Sequence, residues 1–125
     1  MPIKGVMFEK VEVGHSDGRR SIIPIFNGDF VARQAKAAQV NKAAILGGHF
    51  HDYAEMFYVV EGLMYFTLKD TRTKEDDFYR LEPRCRLAIP PFVAHKAEAK
   101  ADTLLLGFTE KRYVSAAEND RKYEF

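Results

Sequence analysis

Two histidines separated by one residue, with a glutamate four positions further on, mark the stretch Gly47-Gly48-His49-Phe50-His51-Asp52-Tyr53-Ala54-Glu55. Alternate side chains of a β-strand share a face, so His49 and His51 point one way and Phe50 the other. Two imidazoles on one face at a strand end can grip a cation or move protons. Glu55 opens the next apolar run, and its parity matches Phe57 and Val59, so it can face the same interior. A further polar group must come from a distant strand. His95 is the candidate, because Pro90 and Pro91 in "IPPFVAH" fix the approach of the chain. Together, His49, His51, Glu55 and His95 are expected to hold one divalent ion with one or two coordination positions open. Fe, Mn, Ni, Zn and Cu all accept such nitrogen and oxygen donors, and ligand type alone does not choose among them. His49 and His51 are also the candidate catalytic residues. Phe57, Tyr65 and Phe108 are expected as apolar walls of the pocket that receives a small-molecule substrate.

The elements that must position these residues read as β-strands. Short apolar segments alternate with Gly, Pro, Asn and Asp at close spacing, which predicts an all-β sandwich or barrel with little helix. Candidate strands cover 5–13, 19–26, 37–45, 55–61, 63–69, 77–82, 86–90 and 103–110. The 31–45 stretch has enough Ala, Gln and Lys for a helix, but is assigned here to strand. Glu61-Gly62 reads as a tight hairpin between 55–61 and 63–69. The 55–61 run is apolar on both faces, with Phe57 and Val59 on one and Met56, Tyr58 and Val60 on the other. It must therefore be covered twice, by a second sheet inside and by another subunit or segment outside. A homodimer is the expectation. Ser115 and Glu118 have capping-box spacing for a short helix, although the charged tail around them is read mainly as a solvated end.

Composition excludes several classes. The chain of 125 residues is large enough for one domain, read as residues 1–125 with the site-bearing part at about 37–110. Its net charge is +1 with acids and bases interspersed, so no one-sided basic field suits a nucleic acid. The run from Lys69 to Asp77 is read as a solvated turn. The apolar runs fall far short of a membrane span, and "MPIKGVMFEK" lacks the pattern of a secretory leader. A single cysteine, Cys85, allows no internal disulfide and suits a packing role in a reducing compartment. A cytoplasmic protein is expected.

The spacing also resembles a known family. His49-x-His51-x3-Glu55-x6-Gly62 is similar to the first cupin motif, and Pro90-x-Phe92-x2-His95 resembles the second, Pro-x-Gly-x2-His. The likeness spans residues 43–110. It implies a double-stranded β-helix, the jelly-roll barrel of the cupins, with the four polar residues at its mouth as metal ligands. The family's turn glycines fall here on Ala43, Arg84 and Phe92, and the asparagine that often ends the second motif falls on Ala99. In outline, "DGRRSIIPI", "GGHFH", "IPPFVAH" and an acidic, Tyr-bearing tail also look like the nucleotide-sugar 3,4-ketoisomerases. In that cupin branch the His-x-His pair shuttles protons on dTDP-keto-sugars, often without metal, helped by a tyrosine on the preceding strand. Here the preceding strand has no tyrosine, and position 55 carries a metal-competent glutamate.

The leading expectation is a metal-dependent cupin enzyme, of oxygenase or isomerase type, acting on a small oxygenated metabolite such as a carbonyl, enediol or sugar. The alternative is a nucleotide-sugar isomerase or epimerase in which His49 or His51 abstracts the proton beside a carbonyl, and Arg19 or Arg20 meets a phosphate. A third reading is a non-catalytic module that binds a metal or metabolite.

Overall fold

In the computed structural model, which describes residues 3–125, twelve strands and one helical turn follow in chain order. They are β1 (Met7–Lys10), β2 (His15–Ser16), β3 (Ser21–Ile22), β4 (Gln34–Val40), β5 (Ile45–Phe50), β6 (Glu55–Glu61), β7 (Met64–Asp70), β8 (Asp76–Leu81), β9 (Cys85–Ile89), β10 (Val93–Ala99), β11 (Thr103–Thr109), α1 (Ala116–Asn119) and β12 (Arg121–Lys122). One sheet has the order β1-β9-β6-β11-β4 and the other β12-β5-β10-β7-β8, while β2 and β3 form a separate exposed hairpin. All pairings are antiparallel. From β4 to β11 the chain passes between the sheets at every connection but one, the β7–β8 hairpin. That winding is the jelly roll expected from the sequence.

The interior is filled by alternate residues of both sheets. Val59, Met64, Phe66, Leu68, Leu81 and Leu87 lose essentially all contact with water. The outer face of β6 is covered largely by the chain itself. Arg86 donates to the Ile25 carbonyl at 2.8 Å and pairs with Asp29, which anchors the 24–31 segment beside β9. Phe26 from that segment packs edge-on against Phe108 at 5.1 Å. Met56 and Tyr58 are buried, and Val60 stays 40% exposed. Among the described residues no helix is long and apolar enough to cross a membrane.

Several local expectations change. Glu61-Gly62 is not a hairpin, because β6 and β7 lie in opposite sheets and the turn carries the chain between them. Gly62 has φ +106°, and a Cβ there would sit 2.6 Å from the Asp102 carbonyl oxygen, so the crossing needs glycine. The single 37–45 strand is two, β4 and β5, split by a turn at 41–44. The 31–45 stretch holds no helix. Strand β10, "VAHKAEA", escaped the pattern entirely. The tail is docked rather than loose: β12 pairs with β5, and Ser115 caps α1 by accepting from the Glu118 N–H at 3.2 Å.

Ala43, Arg84 and Phe92 all have positive φ, at +74°, +71° and +66°. These are the three positions where the resemblance placed glycines. The left-handed turns are kept without the residue that adopts them freely, at a cost on the order of 1–2 kcal/mol per site. One of these turns serves the site directly, since the Phe92 N–H donates to the His51 carbonyl at 2.8 Å and ties the two motif loops together.

Candidate active site

A bulge in β5 brings the histidines together. Leu46 pairs with Ala97 and Gly47 with Lys96, but His49 pairs with His95, so Gly48 is an extra residue opposite a register shift. Without it, Leu46 and His49 would fall on opposite faces; with it, both turn inward. Gly47 and Gly48 have φ +90° and +81°, and a Cβ on Gly47 would lie 2.6 Å from the His95 carbonyl oxygen. The glycine pair before His49 is therefore the device that aims it. His49 and His95 face each other across neighbouring strands with ring centres 4.7 Å apart, and His51 follows 4.9 Å from His49.

Glu55 arrives from the opposite sheet, at the start of β6. Its Oε1 lies 3.2 Å from His51 Nε2 and 3.6 Å from His95 Nε2. His49, His51 and His95 can bring one nitrogen each within 4.8 Å of one another. Glu55 Oε1 and His95 Nδ1 are buried without a well-aligned hydrogen-bond partner among the described residues.

The C-terminal segment completes the wall. His51 Nδ1 donates to the Asn119 carbonyl at 2.8 Å, and Asp120 Oδ1 lies 3.5 Å from the same nitrogen. The His51 ring stacks on Tyr53 at 4.8 Å, while Asn119 Nδ2 donates to the Tyr53 hydroxyl at 3.0 Å. Asn119 Oδ1 also accepts from the N–H groups of Val114 and Ser115, so one buried side chain holds the whole turn.

These surroundings drive the imidazoles apart in basicity. Burial works strongly against charge on His51, but the contact with Glu55, the Asn119 carbonyl and the charges of Glu55 and Asp120 outweigh it and raise its pKa. Burial opposes charge on Glu55 as well, and the neighbouring His51, His95 and Lys36 still hold its pKa below the ordinary value. His95 is pushed down to about 4, chiefly by burial against the attraction of Glu55. His49 is lowered, again first by burial, with Asp120 pulling the other way. The site thus favours charge on His51 and Glu55, which lie against each other, and disfavours it on His49 and His95.

Two chambers meet at His49, Lys36 and Glu55. The outer one, about 220 Å3, is polar and includes His51, Tyr113 and Asp120. The inner one, about 260 Å3, is walled by Phe57, Phe66, His95 and Leu105. The largest concavity, about 840 Å3, is an open shelf behind Tyr53 edged by Arg33, Lys111 and Arg112. The structure brings His49, His51, Glu55, His95 and Phe57 to one place. It does not bring Tyr65 or Phe108 there. Tyr65 faces out of its sheet against Phe78 at 5.3 Å, and Phe108 lies outside the other sheet against Phe26. Both were misplaced because alternation within a strand does not say which of its faces is the inner one. Arg19 and Arg20 sit on the exposed hairpin around Asp17 and line neither chamber. Sequence reasoning missed Lys36, Tyr113, Asn119 and Asp120. The one signal for the tail residues was the cap at Ser115.

No protein-family model matches the sequence, and no curated protein matches it. Solved structures do match in shape. The dTDP-4-dehydrorhamnose 3,5-epimerase of Sulfolobus tokodaii superposes with a TM-score of 0.83 at 19% identity, over 95% of this chain and 77% of that one. The RmlC epimerase of Mycobacterium tuberculosis gives 0.84 at 15%, over 98% and 70%. The 3,4-ketoisomerase QdtA of Thermoanaerobacterium thermosaccharolyticum, in complex with TDP-4-keto-6-deoxyglucose, gives 0.77 at 19%, over 92% and 86%. This likeness corrects the metal expectation. The similar folds are dTDP-sugar epimerases and ketoisomerases rather than metal-dependent oxygenases, and the divalent ion expected on His49, His51, Glu55 and His95 is withdrawn. Glu55, expected as a ligand, lies with Oε1 3.2 Å from His51 Nε2. The chain has the RmlC-like cupin fold, with three histidines and a carboxylate at the mouth of its barrel.

Proposed function

We propose that this protein is an epimerase or ketoisomerase that moves a proton beside the carbonyl of a nucleotide-linked keto sugar. The observation that carries this reading is the inequality of the two histidines in the His-x-His pair. His51 has one ring nitrogen on the Asn119 carbonyl and the other against Glu55. The His49 ring makes no hydrogen bond among the described residues and forms a wall of both chambers. His49 is the base. It takes the proton from carbon, and its lowered pKa keeps it neutral and ready at pH 7. His51, held between Glu55 and the Asn119 carbonyl, is the more basic of the pair and orients the wall of the pocket. Tyr113 lines the outer chamber and is the phenol placed to return a proton from the other side. The shelf edged by Arg33, Lys111 and Arg112 offers the nucleoside diphosphate its cations. The working unit is read as a homodimer, to be checked by light scattering.

The test is incubation with dTDP-4-keto-6-deoxyglucose in D2O, with solvent deuterium on the sugar carbons followed by NMR. Exchange by the wild type, slowed about 100-fold or more in His49→Asn, is the expected result. Absence of exchange across a panel of nucleotide keto sugars would sink the reading.

A further inference from the structure

The reaction class above creates negative charge on a carbonyl oxygen, inside a pocket that already contains a buried carboxylate. Glu55 is 3% exposed and faces both chambers. Left uncompensated, it would oppose any anion formed beside His49. A proton on His51, 3.2 Å from Glu55, offsets that carboxylate at most and leaves no surplus of positive charge. Among the described residues, Lys36 is the only lysine or arginine that lines either chamber, and it lines both.

Its placement is built into the strands. Lys36 on β4 pairs with Gly107 on β11, and Gly107 in turn pairs with Phe57 on β6, so the three form one row across the inner face. Gly107 has no side chain, and the lysine stem lies in the slot this leaves. A Cβ on Gly107 would come within 3.1 Å of Lys36 Cε. The stem crosses β11 and brings Nζ to 4.0 Å from Glu55 Oε2, with the Tyr113 ring centre 5.8 Å away. The Lys36 side chain remains 47% exposed, against 4% for Glu55. The ammonium is therefore not sealed into a structural ion pair, and can turn from Glu55 toward a ligand.

We propose that Lys36 is a catalytic residue, the cation that binds the oxyanion of the enolate formed when His49 removes a proton. This rests on the epimerase or ketoisomerase reading. In the step, the C–H bond beside the carbonyl breaks, and its proton goes to His49. The electron pair forms the C=C bond while the carbonyl π pair moves onto oxygen, where Lys36 meets the charge. Return of a proton to the same carbon completes an epimerisation; in an isomerisation the neighbouring hydroxyl passes its proton to the oxyanion and the former carbonyl carbon takes the proton, and neither route needs an oxidant or cofactor. Lys36 occupies the strand before the His-x-His pair, the strand that carries no tyrosine here.

The experiment compares the wild type with Lys36→Met and Lys36→Arg in two assays. The first is the deuterium exchange above, resolved into kcat and KM. The second needs no turnover: calorimetric titration with oxalate, a stable planar dianion resembling an enediolate. Lys36→Met should lower kcat about 100-fold or more with KM little changed, and weaken oxalate about 10-fold, with Tm unmoved. Lys36→Arg should recover part of both. Equal oxalate affinity in the wild type and Lys36→Met, none in either, or turnover by Lys36→Met within about threefold of the wild type overturns the proposal. A wild type inactive on every nucleotide keto sugar overturns the function reading instead, and the oxalate titration still judges Lys36.

Discussion

The two ends of the barrel are lined by the same strands and differ in nearly everything else. Along β6 the inward residues run Glu55, Phe57, Val59; along β10 they run His95, Ala97, Ala99. At one end these rows are polar, and a bulge and a docked tail set their geometry. At the other they close into an apolar core. Alternation decides only that a side chain goes inside, and distance along the strand decides whether it packs or reacts. The closed end holds the fold and leaves the mouth free to keep unpaired groups that would be costly anywhere else.

Substitutions can break that division of labour, and the largest effect on stability belongs to the closed end. Leu81→Ala should lose about 2–5 kcal/mol in chemical denaturation, since Leu81 is fully buried. Exchange activity per folded molecule should stay at the wild-type level; a matching loss of activity would mean that the two ends are not independent.

Acid should act on the mouth. His95 has its pKa depressed from 6.5 to about 4, so the unfolded chain binds its proton first as pH falls. Stability should drop by about 3 kcal/mol between pH 6.5 and 4 from this group. Glu55, also depressed, adds a loss as pH falls below its unfolded value. His51 is raised, so its contribution is complete below pH 6.5 and disappears as pH rises through its folded pKa. Denaturation midpoints should peak near pH 6.5, with the acid limb flattened in His95→Leu. A pH-independent midpoint would refute this charge assignment.

Gly47→Ala tests the bulge. Its Cβ would collide with backbone at a positive φ, for a cost of about 2 kcal/mol. The exchange reaction should fall far more than stability does, because His49 loses its aim. The smallest effect sharpens the comparison in the opposite direction. Ala43 is an exposed residue at φ +74°, so Ala43→Gly removes strain and should raise stability by less than about 1 kcal/mol, after the extra freedom of the unfolded chain is counted.

What the sequence revealed follows the same physics. Strands β6, β7 and β11 were legible because Val, Leu, Met and aromatic residues crowd them. β10 was not, since Ala, Lys and Glu do not favour strands, and small alanines are used there to leave space beside His95. The turn between β4 and β5 was hidden because Ala43 does a glycine's work. Gly62 marked a turn without saying whether the next strand pairs with its predecessor or crosses to the other sheet. The polar cluster was legible from local spacing plus the resemblance, whereas its chemistry was not. Lys36, Asn119 and Asp120 reach it only through tertiary contacts, 13 to 71 residues from His49. Their roles had no local signature.

Asn119 holds one more consequence, in the order of synthesis. Every strand of the barrel proper is synthesised before the residues that orient His51. A chain released at residue 112 would hold every barrel strand, with His51 lacking its backbone acceptor and His49 lacking the β12 strand at its side. The strands that make the barrel and the residues that aim His51 are thus separable along the chain, and the aim depends on the tail.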